Sequence, residues 1–295
     1  MKCLHEPLER DCFGYTARMK NTLAWDPGAL LQSPLFAPLH PVLACLNGRD
    51  FPALKDCNAL LAASQSIVTV QNGLPLHFVA QVQGRLAFAA QYELRCYLKG
   101  EVQMRDKSWH DLLNALVWLT FPKSKAALNA RHYQALTDVP KVLEGKRGAV
   151  RDMATLFDES GVVVVCAEAG LGNLLRDFQW KELFWRRREQ VNMAMDFYIF
   201  GHGLYEKALQ PYIGMTGQGL QLAVKQEFFA WPLACRLAYL DDRVAEYLCA
   251  PDYCRSTREL TPVPLLGVPG WSVENDDEAY YDNTNYFRFS RRSLS

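Results

Sequence analysis

The stretch SWHDLLNALVWLTFPKSKAALNARHYQAL, residues 108–136, decides the fold, because it reads as two helices and the turn between them. Ser108 can cap the first helix, and Asp111 stands at its third position, which together make a reciprocal capping box. Such a cap is worth about 1 kcal/mol. Leu112, Leu113, Leu116 and Val117 recur at helical spacing and supply a buried stripe. The helix stops at Phe121-Pro122, because the residue before a proline is pushed out of helical angles. Residues 125–136 then read as a second helix. A turn this short favours antiparallel neighbours. His110 opens the first helix and His132 lies near the end of the second, so the hairpin predicts that the two histidines converge.

The polar residues of this hairpin are spaced on common faces. His110 and Asn114 are four apart, and Lys125, Asn129 and His132 fall at i, i+4 and i+7. His110 and His132 are candidate catalytic residues, with Asn114, Lys125 and Asn129 as substrate-binding candidates. The competing account is a capped helix start and two solvated polar faces. A second group lies in FGHGLYEK, residues 200–207. His202 and Glu206 are four apart, a spacing that can hold a divalent metal or let Glu206 orient His202. Both are candidate catalytic residues and metal ligands. Each flanking glycine costs a helix interior about 1 kcal/mol, which suggests close approach of a backbone or ligand. A tight helix crossing around a satisfied buried histidine explains the same pattern. Arg151, Asp152, Asp158 and Glu159 make a charged cluster, in which Arg151 is a further substrate-binding candidate. Asp158-Glu159 reads as a loop rather than a carboxylate dyad.

Working outward, residues 1–50 are proline-rich and predict irregular structure with short helices. Residues 53–63 predict a short helix. Residues 66–70 and 76–82 bracket Asn72-Gly73, a hairpin signal. Residues 87–98 predict a helix stopped by Gly100. Residues 161–166 predict one buried strand. Residues 174–209 read as a long helical stretch broken near 201–203, and residues 220–249 as another, split at Pro232. Residues 261–271, rich in proline, predict no regular element. The aromatic run YYDNTNYF, residues 280–287, predicts a tail pinned on the body. The fold class expected is mainly α (α+β). It is a single domain over residues 1–295 with a small hairpin or short sheet, an irregular segment 1–50, and an irregular tail 256–295 packed on the body.

The chain has 295 residues, 49% of them hydrophobic, so a large core needs no metal or disulfide. Lys plus Arg and Asp plus Glu are both 32, which gives no global field for nucleic acid or anionic lipid. Arg186-Arg187-Arg188 reads as a solvated helix face. The nine cysteines are scattered without a C-x-x-C pair, as expected of free thiols in a reducing compartment. Residues 1–9 do not resemble an export signal, and no apolar run reaches the ~18 residues a spanning helix needs. A cytoplasmic location follows as the expectation. There is no phosphate loop, no H-E-x-x-H and no G-x-S-x-G. Gly170-Leu171-Gly172 is too short for a dinucleotide fingerprint.

Several segments resemble a bacterial family known as domain of unknown function 3025. They are Tyr92-Glu93, WHDLLNALVWLTFPK at 109–123, LNARH at 128–132, Arg151-Asp152, TLFDE at 155–159, FGHGLYEK at 200–207 and PLLGVPGW at 264–271. The resemblance spans roughly residues 50–290. It implies a bacterial origin and transfers no catalytic residue. Three functions stay open. The first is a histidine-based, metal-assisted hydrolase or acid–base enzyme acting on a small polar substrate. The others are a non-catalytic ligand- or protein-binding module, and a structural partner in an assembly.

Overall fold

The computed structural model describes residues 23–81, 91–137 and 148–289. The expectations for residues 1–22, for Cys3 and Cys12, for Val82 and for the beginning of the 87–98 helix lie outside the described residues. The fold is α+β. In chain order the helices are α1 (Pro27–Gln32), α2 (His40–Leu43), α3 (Leu54–Ala62), α4 (Tyr92–Lys99), α5 (Trp109–Thr120) and α6 (Pro122–Thr137). They continue with α7 (Ala149–Ser160), α8 (Ala169–Arg176), α9 (Arg188–Ala194), α10 (His202–Ala208) and α11 (Leu233–Cys249).

Two sheets accompany them. The smaller pairs β1 (His77–Ala80) with β2 (Glu101–Met104) in parallel. The Asn72-Gly73 turn forms, with Gly73 at φ 87° and a single antiparallel bridge between Thr69 and Pro75. The second arm then leaves this turn to join β2, so the expected hairpin shrinks to one bridge. Gly100 ends α4 in the left-handed region at φ 69°, as a helix stop requires. A Cβ there would overlap the Pro75 carbonyl.

The larger sheet has the order β4–β3–β5–β6. β3 (Gly161–Cys166) is buried along its whole length and pairs on both sides. Its unbroken valine run is what a strand covered on both faces requires. β4 (Met195–Ile199) runs antiparallel to β3, and β5 (Thr216–Ala223) runs parallel to it. Both strands correct the sequence reading. β4 interrupts the helical stretch 174–209, and it follows α9 with no turn residue to mark the change. β5 opens the stretch expected to be helical before Pro232. Its glycines weaken strand propensity, but a Cβ on Gly219 would press at 2.8 Å on Val263 of the neighbouring strand. β6 (Thr261–Pro264) is also a correction, since residues 261–271 were expected to hold no regular element. Pro262 and Pro264 are tolerated because β6 is the sheet edge.

Both helices of this stretch form, with Ser108 accepting from the Asp111 amide at 3.3 Å, but the expected antiparallel packing is corrected: α6 lies mainly on α11, α7 and α4 rather than back along α5. The reciprocal half of the box does not form. The chain turns through Lys107 at φ 51°, and this lays Arg105 over Asp111. The Asp111 carboxylate accepts from the Arg105 amide at 2.7 Å and from its guanidinium at 2.8 Å. α5 is buried nearly all round, and α6 packs against α4, α7 and α11. α6 turns Lys125, Asn129 and His132 inward, each buried. Its first-turn amides are capped from another helix. Asp241 of α11 accepts from Lys123 N at 3.0 Å and from Ser124 N at 2.8 Å. Leaving these two amides unpartnered costs about 1–3 kcal/mol each. Asp241→Ala is expected to lower stability by about 3 kcal/mol in urea unfolding, and a loss under ~1 kcal/mol would mean that water replaces the cap.

One cluster of buried apolar side chains extends from Leu30 to Phe287. Tyr281, Tyr286 and Phe287 of the tail are buried, while Trp271 and Tyr280 are only half-buried. The seven described cysteines are free. Among the described residues, no helix is long and apolar enough to cross a membrane.

Candidate metal centre

Two sharp corners of the chain build the site. α7 passes directly into β3 at Ser160-Gly161, and β4 passes into α10 through Phe200-Gly201. The amides of Phe200 and Gly201 both donate to the Gly161 carbonyl at 2.9 Å, which locks one corner on the other. This approach needs glycine, because a Cβ on Gly201 would lie 2.5 Å from the amides of Ser160 and Gly161. The last turn of α7 is thereby set beside the first turn of α10. Asp158 and Glu159 belong to that last turn and are helical, which corrects their reading as a loop. α5 packs across α10 and brings His110 over the same point.

At this junction His202 Nε2 faces His110 Nε2 at 3.1 Å and Glu159 Oε1 at 3.5 Å. His110 Nδ1 faces Glu206 Oε2 at 3.0 Å. One nitrogen from each histidine and one oxygen of Glu159 lie within 4.8 Å of one another, a grouping that can hold a metal ion. Ligands about 2.0–2.1 Å from one ion would have to subtend about 100° and 115° to give the 3.1 and 3.5 Å separations. Those angles bracket the tetrahedral value of about 109°. The centre is open on one side: the Glu159 side chain is 44% exposed and that of His110 33%, against 6% for His202.

Gly203 is part of this geometry. A Cβ at that position would overlap the Glu159 carboxylate. The glycine therefore gives the carboxylate the space it occupies beside His202.

Ion pairs border the centre. Lys125 is ion-paired to Asp158, with both side chains buried. Arg105 is paired to Asp111. Glu206 faces the His110 ring and Glu159 the His202 ring. The hydrogen bond to Glu206 raises the His110 pKa above its ordinary value, even against partial burial. Burial lowers that of His202 to about 3, so its ring is neutral. Burial raises the Glu159 carboxyl. Burial also works to raise Asp158, but the Lys125 ammonium overcomes it and holds the carboxyl at about 2. The carboxylates of Glu206 and Glu159 thus favour a positive charge at His110.

The sequence candidates distribute as follows. His110, His202 and Glu206 come together, and the hydrogen bond of Glu206 runs to His110. His132 does not join them, which corrects its expected convergence with His110; it lies on the Lys125–Asp158 side. With Lys125, Asn129, Tyr92, Trp118 and Asp158 it lines a cavity of about 10 Å³. Lys125 is engaged by Asp158. Asn114 donates to Tyr92 Oη at 2.7 Å, and Asn129 donates to Glu93 at 2.7 and 3.0 Å. These two amides tie α5 and α6 to α4. Arg151 stands in the first turn of α7, seven residues before Asp158, and no bond joins it to the cluster among the described residues. Sequence reasoning did not place Glu159 beside these histidines. The signal available was the helical spacing of Met153, Ala154 and Phe157, which carries the helix up to the strand.

No curated protein and no solved structure matches the chain. The family described as "Protein of unknown function (DUF3025)" matches residues 76–291, a span that holds every residue of the centre. The chain belongs to that DUF3025 family.

Proposed function

We propose that the junction of α5, α7 and α10 is a mononuclear divalent-metal centre with His110, His202 and Glu159 as ligands. We read the protein as a metal-assisted hydrolase acting on a small polar substrate. The observation that carries this reading is the convergence of one nitrogen from each histidine and a Glu159 oxygen within 4.8 Å of one another. Two histidines and one glutamate are a known ligand set for catalytic zinc, which keeps a position open for water or substrate. The open side at Glu159 and His110 supplies that access. A bound ion would contribute Lewis acidity and lower the pKa of water. Glu206 orients the His110 ring through Nδ1, as carboxylate partners of ligand histidines do. The Glu206–His110 hydrogen bond also favours a second reading, acid–base chemistry by this dyad alone.

The experiment is metal uptake. The full chain, stripped by chelator and dialysed against Zn2+, is expected to hold one ion per chain by elemental analysis. His202→Ala and Glu159→Gln should each weaken binding by about 100-fold or more, since each removes a ligand. A folded wild type that takes up no Zn2+, Co2+ or Mn2+ would sink the metal reading and leave the dyad. Metal-dependent turnover in a panel of small esters, amides and phosphoesters separates hydrolase from binding module.

A further inference from the structure

We infer that the small cavity between α4, α5, α6 and α7 is a binding site for one water molecule, held by Lys125, Asn129 and Trp118. The site lies on the Asp158 side of the proposed metal centre, and the inference stands whether or not an ion binds there. Its volume sets the first limit. The cavity measures about 10 Å³, and a space of about 10–15 Å³ is the least that admits one water. Nothing larger than a water molecule fits. Lys125 and Asn129, whose sequence spacing made them substrate-binding candidates, therefore have no room for a substrate group on this side.

The walls of the cavity carry polar atoms that lack partners. Lys125, Asn129 and Trp118 line it and are at most 4% exposed. Asn129 spends its amide nitrogen on the Glu93 carbonyl and carboxylate. Its Oδ1 is buried with no hydrogen-bond partner among the described residues, and so is the Trp118 Nε1–H. Lys125 carries three N–H donors. One of them bonds Asp158 Oδ1, and the ammonium makes no second hydrogen bond among the described residues. Buried polar groups are nearly always satisfied, either by protein or by ordered water. Three such groups bordering one water-sized space point to water.

The chemistry of the walls decides which small species belongs there. Asn129 Oδ1 needs a donor, while Lys125 and Trp118 need an acceptor. A cation in this space would stand against the Lys125 ammonium where charge is poorly screened. A halide accepts but cannot donate, so Asn129 Oδ1 would stay unpaired. Water does both and carries no charge. It accepts from Lys125 and Trp118 and donates to Asn129, about three bonds being usual for a buried water. It also solvates one end of the Lys125–Asp158 pair, whose two side chains are buried. Such a pair is tolerated when its remaining protons find partners. The same molecule ties the end of α5, at Trp118, to the inward face of α6.

Crystals of the full chain supply the test, at a resolution that shows ordered water. The wild-type map is expected to hold one peak about 2.5–3.2 Å from both Asn129 Oδ1 and Lys125 Nζ. A map in which these side chains are ordered with no peak between them overturns the proposal, and so does a cavity closed by a protein side chain. Asn129→Leu keeps the bulk of the side chain and removes the acceptor, so its map is expected to lose the peak. A peak of wild-type strength in that variant overturns the assignment. If Asn129→Leu does not fold, the wild-type map still decides. The result is independent of Zn2+ uptake, so the water site and the metal reading stand or fall separately.

Discussion

At the proposed centre, Gly203→Ala is expected to weaken Zn2+ binding about 100-fold or more while changing a single hydrogen to a methyl group. The added Cβ would overlap the Glu159 carboxylate, and it would also sit 3.0 Å from the Glu159 carbonyl. The backbone cannot yield, because the adjoining corner at Gly201 is already pressed against Ser160 and Gly161. The carboxylate can, since its side chain is 44% exposed and can rotate into solvent. One of three ligands is then lost, and affinity for Zn2+ should fall about 100-fold or more, as for Glu159→Gln. Folding should suffer less. Overpacking costs about 1–3 kcal/mol, and the exposed carboxylate offers an outlet toward the low end of that range. The pattern to measure is weak Zn2+ uptake with a melting temperature within several degrees of wild type. Undiminished uptake would show that Glu159 does not occupy the space beside Gly203 when an ion is bound.

How far this site could be read in advance depends on the kind of signal each residue leaves. His110 was legible because a serine cap and a proline stop bracket its helix, fixing where on that helix it falls. His202 and Glu206 were legible because glycines around a histidine demand an explanation, which is the Ser160–Gly161 backbone at Gly201 and the Glu159 carboxylate at Gly203. Which partner Glu206 takes was not legible. Spacing along a helix places two side chains on one face, and it says nothing of what a third helix brings to that face. α5 brings His110, and the carboxylate turns to it. Glu159 left no local mark, because two acids in sequence read as a solvated turn unless the helix is followed into β3. The same limit hid β4 and β5. Their strand character comes from pairing with β3 on either side, and pairing across distant segments outweighs local propensity.

A chain ending at residue 260 is expected to lose the fold altogether. The residues beyond that point first supply β6, which closes the edge of β5. They then cross the body as a series of anchors. Tyr286 Oη accepts from Leu266 N at 2.9 Å and donates to Met215 O at 2.8 Å, so one phenol ties the tail to the turn before β5. Asn275 Nδ2 donates to the Leu266 and Val268 carbonyls, and Tyr281 Oη donates to the Gly267 carbonyl. Phe287 packs where Gly267 has no side chain, and a Cβ there would lie 2.7 Å from its ring. Val263, Leu265, Leu266, Val268, Tyr281, Tyr286 and Phe287 are all buried. Burial of such side chains stabilises by about 1.5–3 kcal/mol each. Their sum is on the order of 10 kcal/mol, comparable to the roughly 5–15 kcal/mol of a whole domain. Truncation also bares one side of β5 as an unpaired edge, which favours aggregation. The truncated chain should therefore be insoluble, or soluble without a cooperative melt. Tyr286→Phe in the full chain should cost only about 1–3 kcal/mol, the loss of one phenol hydroxyl from two buried bonds. A truncated chain that melts like the full-length protein would show that the tail rests on a body already stable without it.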